Sequence, residues 1–182
     1  DLIFIHQINN VEVIEEGNIS NNTTANLVFS AIPQTYQHLE ITLSWRSYAT
    51  VGDIWMQFRM NGETGSKYGS AGWISPESGT VLRYTAWEDV EAFGQCGTMA
   101  AGDYATGAFS AATMFVPNYT NTSEYKLMMS RGAQGNASTV DGLSFAVVGG
   151  ISTTSAVTEI DLYPYTGYYA SGTSYMLAGY KA

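Results

Sequence analysis

The sequence holds few residues whose types and spacing combine into chemistry. Nucleophilic catalysis needs a base beside a Ser, Thr or Cys, and the chain has two histidines, His6 and His38. His6 stands in the apolar opening segment and His38 at the head of an alternating stretch. Neither belongs to a partner motif, so each reads as a surface or hydrogen-bonded residue. Gly142-Leu143-Ser144-Phe145-Ala146 has the outline of a nucleophile elbow. That motif requires a strand–turn–helix, and Val147-Val148 instead continue a strand. Gly62-Glu63-Thr64-Gly65-Ser66-Lys67 looks like a phosphate loop with its Lys on the wrong side of the Ser and no helix behind it. Cys96 is the single cysteine and reads as a small, partly buried residue, with no internal disulfide. Glu88, Asp89 and Glu91, with Asp53 and Asp103, could gather a cation, but the twelve-residue spacing of a calcium loop is missing. A solvated acidic loop is the plainer reading. Catalytic, cofactor-binding and metal-ligating residues are therefore all expected to be absent.

Aromatic residues carry more information. Thirteen Tyr and four Trp are many for a weakly charged chain of this size. Tyr and Trp bury area while keeping a polar handle, which suits them to interfaces and to stacking on sugar rings. The interface or glycan candidates are Trp73, in the glycine-rich stretch Gly62–Gly79, and Tyr163, Tyr165, Tyr168 and Tyr169 around Pro164 and Gly167. Leu2 and Phe4 join them as the apolar residues of the opening segment. Packing inside a core is the competing explanation for each aromatic ring.

The elements that must position these residues are strands. Leu39, Ile41, Leu43 and Trp45 alternate with Glu40, Thr42, Ser44 and Arg46. Ile54, Met56, Phe58 and Met60 alternate with Trp55, Gln57 and Arg59, and Asn61-Gly62 ends that run with a turn signal. Further strands are expected at 25–30, 80–87, 107–116, 124–131, 143–151, 157–163 and 173–180. No stretch has helical periodicity beyond single turns at 33–36 and 88–91. About ten short strands predict an all-β, two-sheet antiparallel β-sandwich, jelly-roll-like in outline. Residues 1–24 read as an N-terminal arm or edge strand with a polar loop, and 25–182 as the sandwich domain. Gly62–Gly79 reads as an exposed loop.

Composition narrows the partners. Charged residues make up 13% of the chain, about half the usual share, so exposed helices laced with ion pairs are not expected. The net charge is −9 and the seven cations are scattered, which argues against nucleic acid and against acidic membrane surfaces. Six Asn-x-Ser/Thr sequons matter only in a eukaryotic secretory route. Low charge, aromatic excess and an apolar opening segment together predict a homo-oligomer.

Two stretches resemble a family of tailed-bacteriophage virion proteins. The first is Phe29-Ser30-Ala31-Ile32-Pro33-Gln34-Thr35-Tyr36-Gln37-His38-Leu39, followed by Phe58-Arg59-Met60-Asn61-Gly62-Glu63 and Tyr68. The second runs from Thr154 to Ile160 and then Gly172-Thr173-Ser174-Tyr175-Met176-Leu177-Ala178-Gly179. The resemblance covers roughly residues 25–70 and 150–181. The sequence departs from the pattern at Met60, Glu63 and Ala178. The resemblance implies a non-enzymatic virion structural protein, made in the host cytoplasm and carried on the virion surface. A capsid-surface decoration (cement) protein is the first choice, with a homotrimer on a threefold position and the major capsid protein as partners. A receptor- or glycan-binding head of a tail or head fibre, meeting a host surface glycan, is the alternative. A glycan-active enzyme would need two carboxylates facing one groove. The motif residues themselves read as scaffold: Ile32-Pro33 ends a strand, Tyr36 and Leu39 anchor the crossing to the next, and Asn61-Gly62 closes a hairpin.

Overall fold

The computed structural model describes residues 10–49, 54–75, 82–91, 93–99, 107–135 and 142–181. Among these, twelve strands form: β1 (Val11–Asn18), β2 (Leu27–Phe29), β3 (His38–Trp45), β4 (Ile54–Met60), β5 (Tyr68–Ser75), β6 (Leu82–Glu91), β7 (Gly94–Met99), β8 (Ser110–Val116), β9 (Lys126–Gly135), β10 (Gly142–Ile151), β11 (Ile160–Pro164) and β12 (Ser174–Tyr180). Every described pairing is antiparallel. One sheet has the order β1-β12-β3-β8-β9-β10-β5-β6, the other β2-β11-β4-β7. The four strands β1-β12-β3-β8, set against β2-β11-β4-β7, have the strand order of a jelly roll. The pairs β5–β6 and β9–β10 are insertions that lengthen one sheet to eight strands.

The alternating runs place their apolar members between the sheets. Leu39, Ile41, Leu43, Ile54, Met56, Phe58, Ile160 and Leu162 are all buried in one core. Packing is close enough to demand glycine. A Cβ at Gly94 of β7 or at Gly149 of β10 would collide with the Phe58 ring. One at Gly97 or Gly132 would collide with Phe145. These bare positions let β7 lie across the extended part of the long sheet with no room for a methyl group.

Asn61 and Gly62 both take positive φ, 54° and 63°. The turn forms as its residues require, but it does not close a hairpin. It hands the chain from β4 in the short sheet to β5 in the long one. The Asn61 side chain ties the turn to the β10–β11 connection, donating to Ala156 O and accepting from Thr158 N at 2.7 Å. The two motif stretches also meet elsewhere. The Tyr36 ring lies on Gly179, where any side chain would clash, and its hydroxyl donates to Glu12 Oε2 of the edge strand β1. Lys181 pairs with the same Glu12.

Two expectations are corrected here. Within the stretch read as an exposed loop, Gly62–Gly79, residues Tyr68–Ser75 instead form β5, hydrogen-bonded to β10 and β6. Residues 88–91 belong to β6 and not to a helical turn. In the first 24 residues the described edge strand is Val11–Asn18, paired with β12. Leu2, Phe4 and His6 lie outside the described residues.

Candidate functional site

Alternation along the long sheet leaves one face outward, and its residues fall into rows across the strands. One row runs Thr42 (β3), Thr113 (β8), Arg131 (β9), Ala146 (β10), Trp73 (β5), each directly opposite the next. The neighbouring row carries Glu40, Phe115, Met129, Val148 and Ala71. Trp73, Leu127, Met129 and Val148 are each about two-fifths exposed, a concentration of large apolar side chains on one surface.

The face carries two shallow, open hollows. A hollow of about 590 Å³ is floored by Ala111, Ala133 and Ala146 and walled by Trp73, Thr113 and Arg131. A second, of about 310 Å³, adjoins it and is lined by Glu40, Phe115 and Met129 with the same Thr113 and Arg131. Small residues make the floor; the long side chains stand at its sides. The ion pairs among the described residues, Lys67–Glu63 and Lys181–Glu12, leave Arg131 without a carboxylate partner. Glu40, the nearest acid of that surface, accepts a hydrogen bond from the Tyr180 hydroxyl at 2.9 Å.

The aromatic candidates separate. Trp73 belongs to the sheet face. Tyr165 and Tyr168 are exposed in the β11–β12 connection, and the backbone N–H of Tyr48 donates to Tyr168 O at 2.7 Å. Tyr48, itself more than half exposed, thus joins them in a patch beside the end of β3, a strand that is not a neighbour of the β5 that carries Trp73. One candidate is withdrawn from the surface and another only partly reaches it. Tyr169 is fully buried: its N–H donates to Thr24 O, a bridge to Ser47 holds it, and the ring turns into the core. Tyr163 is half-buried beneath the Arg59 guanidinium, 4.9 Å from the ring centroid. Burial pushes both phenols up.

The residues weighed for catalysis have structural positions. His38 Nδ1 accepts the Asn118 N–H at 3.0 Å, and its ring tilts against Phe115. Cys96 is buried, and desolvation pushes its thiol well above the ordinary range. Ser144 lies within β10. In the loop shaped like a phosphate site, Glu63 bonds Lys67 and the Gly65 N–H, which lowers its carboxyl below the usual range. Sequence reasoning missed Arg131, Thr113 and Thr42 as site residues. The strands carrying them were legible; that their outward positions share one row was not.

No protein-family model matches the chain, and no curated protein matches its sequence. Among solved structures, the chain is similar to a scytalido-glutamic peptidase with a transition state analog inhibitor, at 13% identity over 90% of this chain and 66% of that one, with a TM-score of 0.23. It is also similar to the infectious bursal disease virus Gx strain, at 9% identity over 94% of this chain and 39% of that one, with a TM-score of 0.13. At such TM-scores neither likeness carries an argument about fold or function.

Proposed function

We propose that this chain is a non-enzymatic structural protein of a tailed-phage virion, made in the host cytoplasm and held on the capsid surface as a decoration protein. The observation that carries the reading is the open outer face of the eight-stranded sheet, where Trp73, Leu127, Met129 and Val148 stand exposed together. A surface of this kind is made for contact. The jelly-roll order supports the reading only by analogy, because capsid and lectin domains share it. The resemblance of the two motif stretches to phage virion proteins adds the virion. Tyr48, Tyr165 and Tyr168 beside the end of β3 supply the subunit contact of a homotrimer, and the major capsid protein is the neighbour below. A fibre head that meets a host glycan is the second reading, favoured by Trp73 and Arg131 in one hollow.

Electron cryo-microscopy of intact virions tests the first reading. Density for this jelly roll at threefold positions of the capsid is expected. Density at a fibre tip would replace the first reading with the second, and absence from purified virions would overturn both. Reproducible turnover of a polysaccharide, lost on changing one Asp or Glu, would overturn the non-enzymatic assignment.

A further inference from the structure

Deepening the reading that the outer sheet face presents a contact surface, we propose that the row Thr42–Thr113–Arg131–Ala146–Trp73 binds an acidic oligosaccharide. Four chemical features of that row and of the hollow it lines select this ligand. Trp73 offers an exposed indole face at the side of a hollow, and such a face stacks on the C–H surface of a pyranose ring. Ala111, Ala133 and Ala146 leave the floor low, so a flat ring can lie beside the indole without meeting side chains. Thr42 and Thr113 line the same hollow with hydroxyls that donate and accept, as sugar hydroxyls do. Arg131 lies between them and Trp73, exposed and in no ion pair among the described residues, in a chain of net charge −9; Glu40, in the adjoining hollow, is engaged by the Tyr180 hydroxyl. A guanidinium in that state is suited to a bidentate carboxylate.

Length agrees with chemistry. The row crosses four strand intervals, roughly 19 Å at about 4.8 Å each, the span of a short oligosaccharide and not of a single sugar. A neutral glycan would leave Arg131 unused. An acidic peptide would satisfy Arg131 but gain little from the low alanine floor beside a single indole. The ligand class is therefore a glycan bearing a carboxylate, with the acid at Arg131 and a neighbouring ring on Trp73.

The experiment is isothermal titration calorimetry of the full chain with trisaccharides containing glucuronate, galacturonate or sialate, each beside its methyl ester. At least one acid should bind with a dissociation constant of about 1 mM or tighter. Its ester should bind about tenfold more weakly. Trp73→Ala should weaken the acid by about tenfold or more, while Arg131→Gln should abolish the preference for acid over ester. Both side chains are exposed, and an unchanged far-ultraviolet circular dichroism spectrum confirms that each variant folds. No heat from any trisaccharide at about 10 mM, equal affinity for acid and ester, or binding untouched by Trp73→Ala would overturn the proposal. Virion location is read separately: a chain seen on capsids that binds no acidic sugar defeats this inference alone, and a chain that binds one but is missing from virions defeats the decoration reading alone.

Discussion

The outer faces of the two sheets are built on the same alternating backbone and end in opposite states. On the short sheet, Gln57, Arg59, Asp161 and Tyr163 face outward from β4 and β11, and they close on one another. Arg59 covers the Tyr163 ring, Asn26 Nδ2 donates to Asp161 Oδ2 at 3.0 Å, and Gln57 and Asp161 are 3% and 9% exposed. On the long sheet the outward residues do not close. Apolar side chains stay in solvent, and Arg131 forms no ion pair with a described acid, although Glu40 shares a hollow with it. The polar face is largely covered, although Gln57 Nε2, Asp161 Oδ1 and the Tyr163 hydroxyl have no hydrogen-bond partner among the described residues and Val28 stands exposed beside Asp161, whereas the apolar face is left open. Polarity of the residue types would suggest the reverse.

Placing one extra carboxylate on each face sharpens this comparison most. Gln57→Glu puts a charge where water does not reach and should cost about 3 kcal/mol or more. Met129→Glu, on the open face, should change stability by no more than about 1 kcal/mol. Urea unfolding of the two variants beside the parent is the measurement; equal losses would end the distinction between the faces.

Arg59→Met should have an intermediate effect. It removes the cation over Tyr163 and the positive charge that opposes the burial of Asp161. A loss of about 1–2 kcal/mol is expected, read from the thermal midpoint and the shape of the transition.

The smallest effect belongs to Asp161→Asn. Burial raises the Asp161 carboxyl above its ordinary value of 3.8, with Arg59 and the Asn26 bond opposing that rise in part. Among the described residues its Oδ1 has no hydrogen-bond partner. A raised carboxyl favours the folded state fully below its ordinary pKa, and that contribution is lost as pH rises through the folded value. Asp161→Asn should therefore be at least as stable as the parent at neutral pH. The advantage should shrink as the solution is acidified toward pH 3.8 and below. An advantage that grows in acid would reverse the sign of this argument.

Much of the fold was legible in the residues. Period-2 alternation marked β3 and β4 and placed Leu39, Ile41, Leu43, Ile54, Met56 and Phe58 in the core, where they lie. Asn61-Gly62 specified a turn through its tolerance of positive φ. These are local facts, set by side chains and dihedral angles within a few residues. Two strands escaped, and β1 was legible only as an arm or edge strand with a polar loop somewhere in residues 1–24. β5 and β7 are broken by glycine, which in sequence announces a turn. In β7 the glycines serve a distant partner: Gly94 makes room for Phe58 and Gly97 for Phe145. The sequence states that a residue has no side chain, but not whose ring will take the space.

The candidate site divides the same way. Trp73 stood out as an exposed aromatic residue from the sequence alone, and it is exposed, though on a strand and not in a loop. Which face β9 turns outward was decided only by tertiary structure. Its alternation sends Lys126, Met128 and Ser130 inward and Leu127, Met129 and Arg131 outward. Hydropathy argues the opposite for Lys126 and Leu127. The inward Lys126 is nevertheless satisfied, because its ammonium donates to the carbonyls of Asn121, Glu124 and Thr154 from two separate connections. Desolvation lowers its pKa, yet those three acceptors hold it in place. A strand's period is a property of its own backbone. Its polarity is set by whatever closes over each side, and for Lys126 that closure comes from carbonyls as far as 28 residues away.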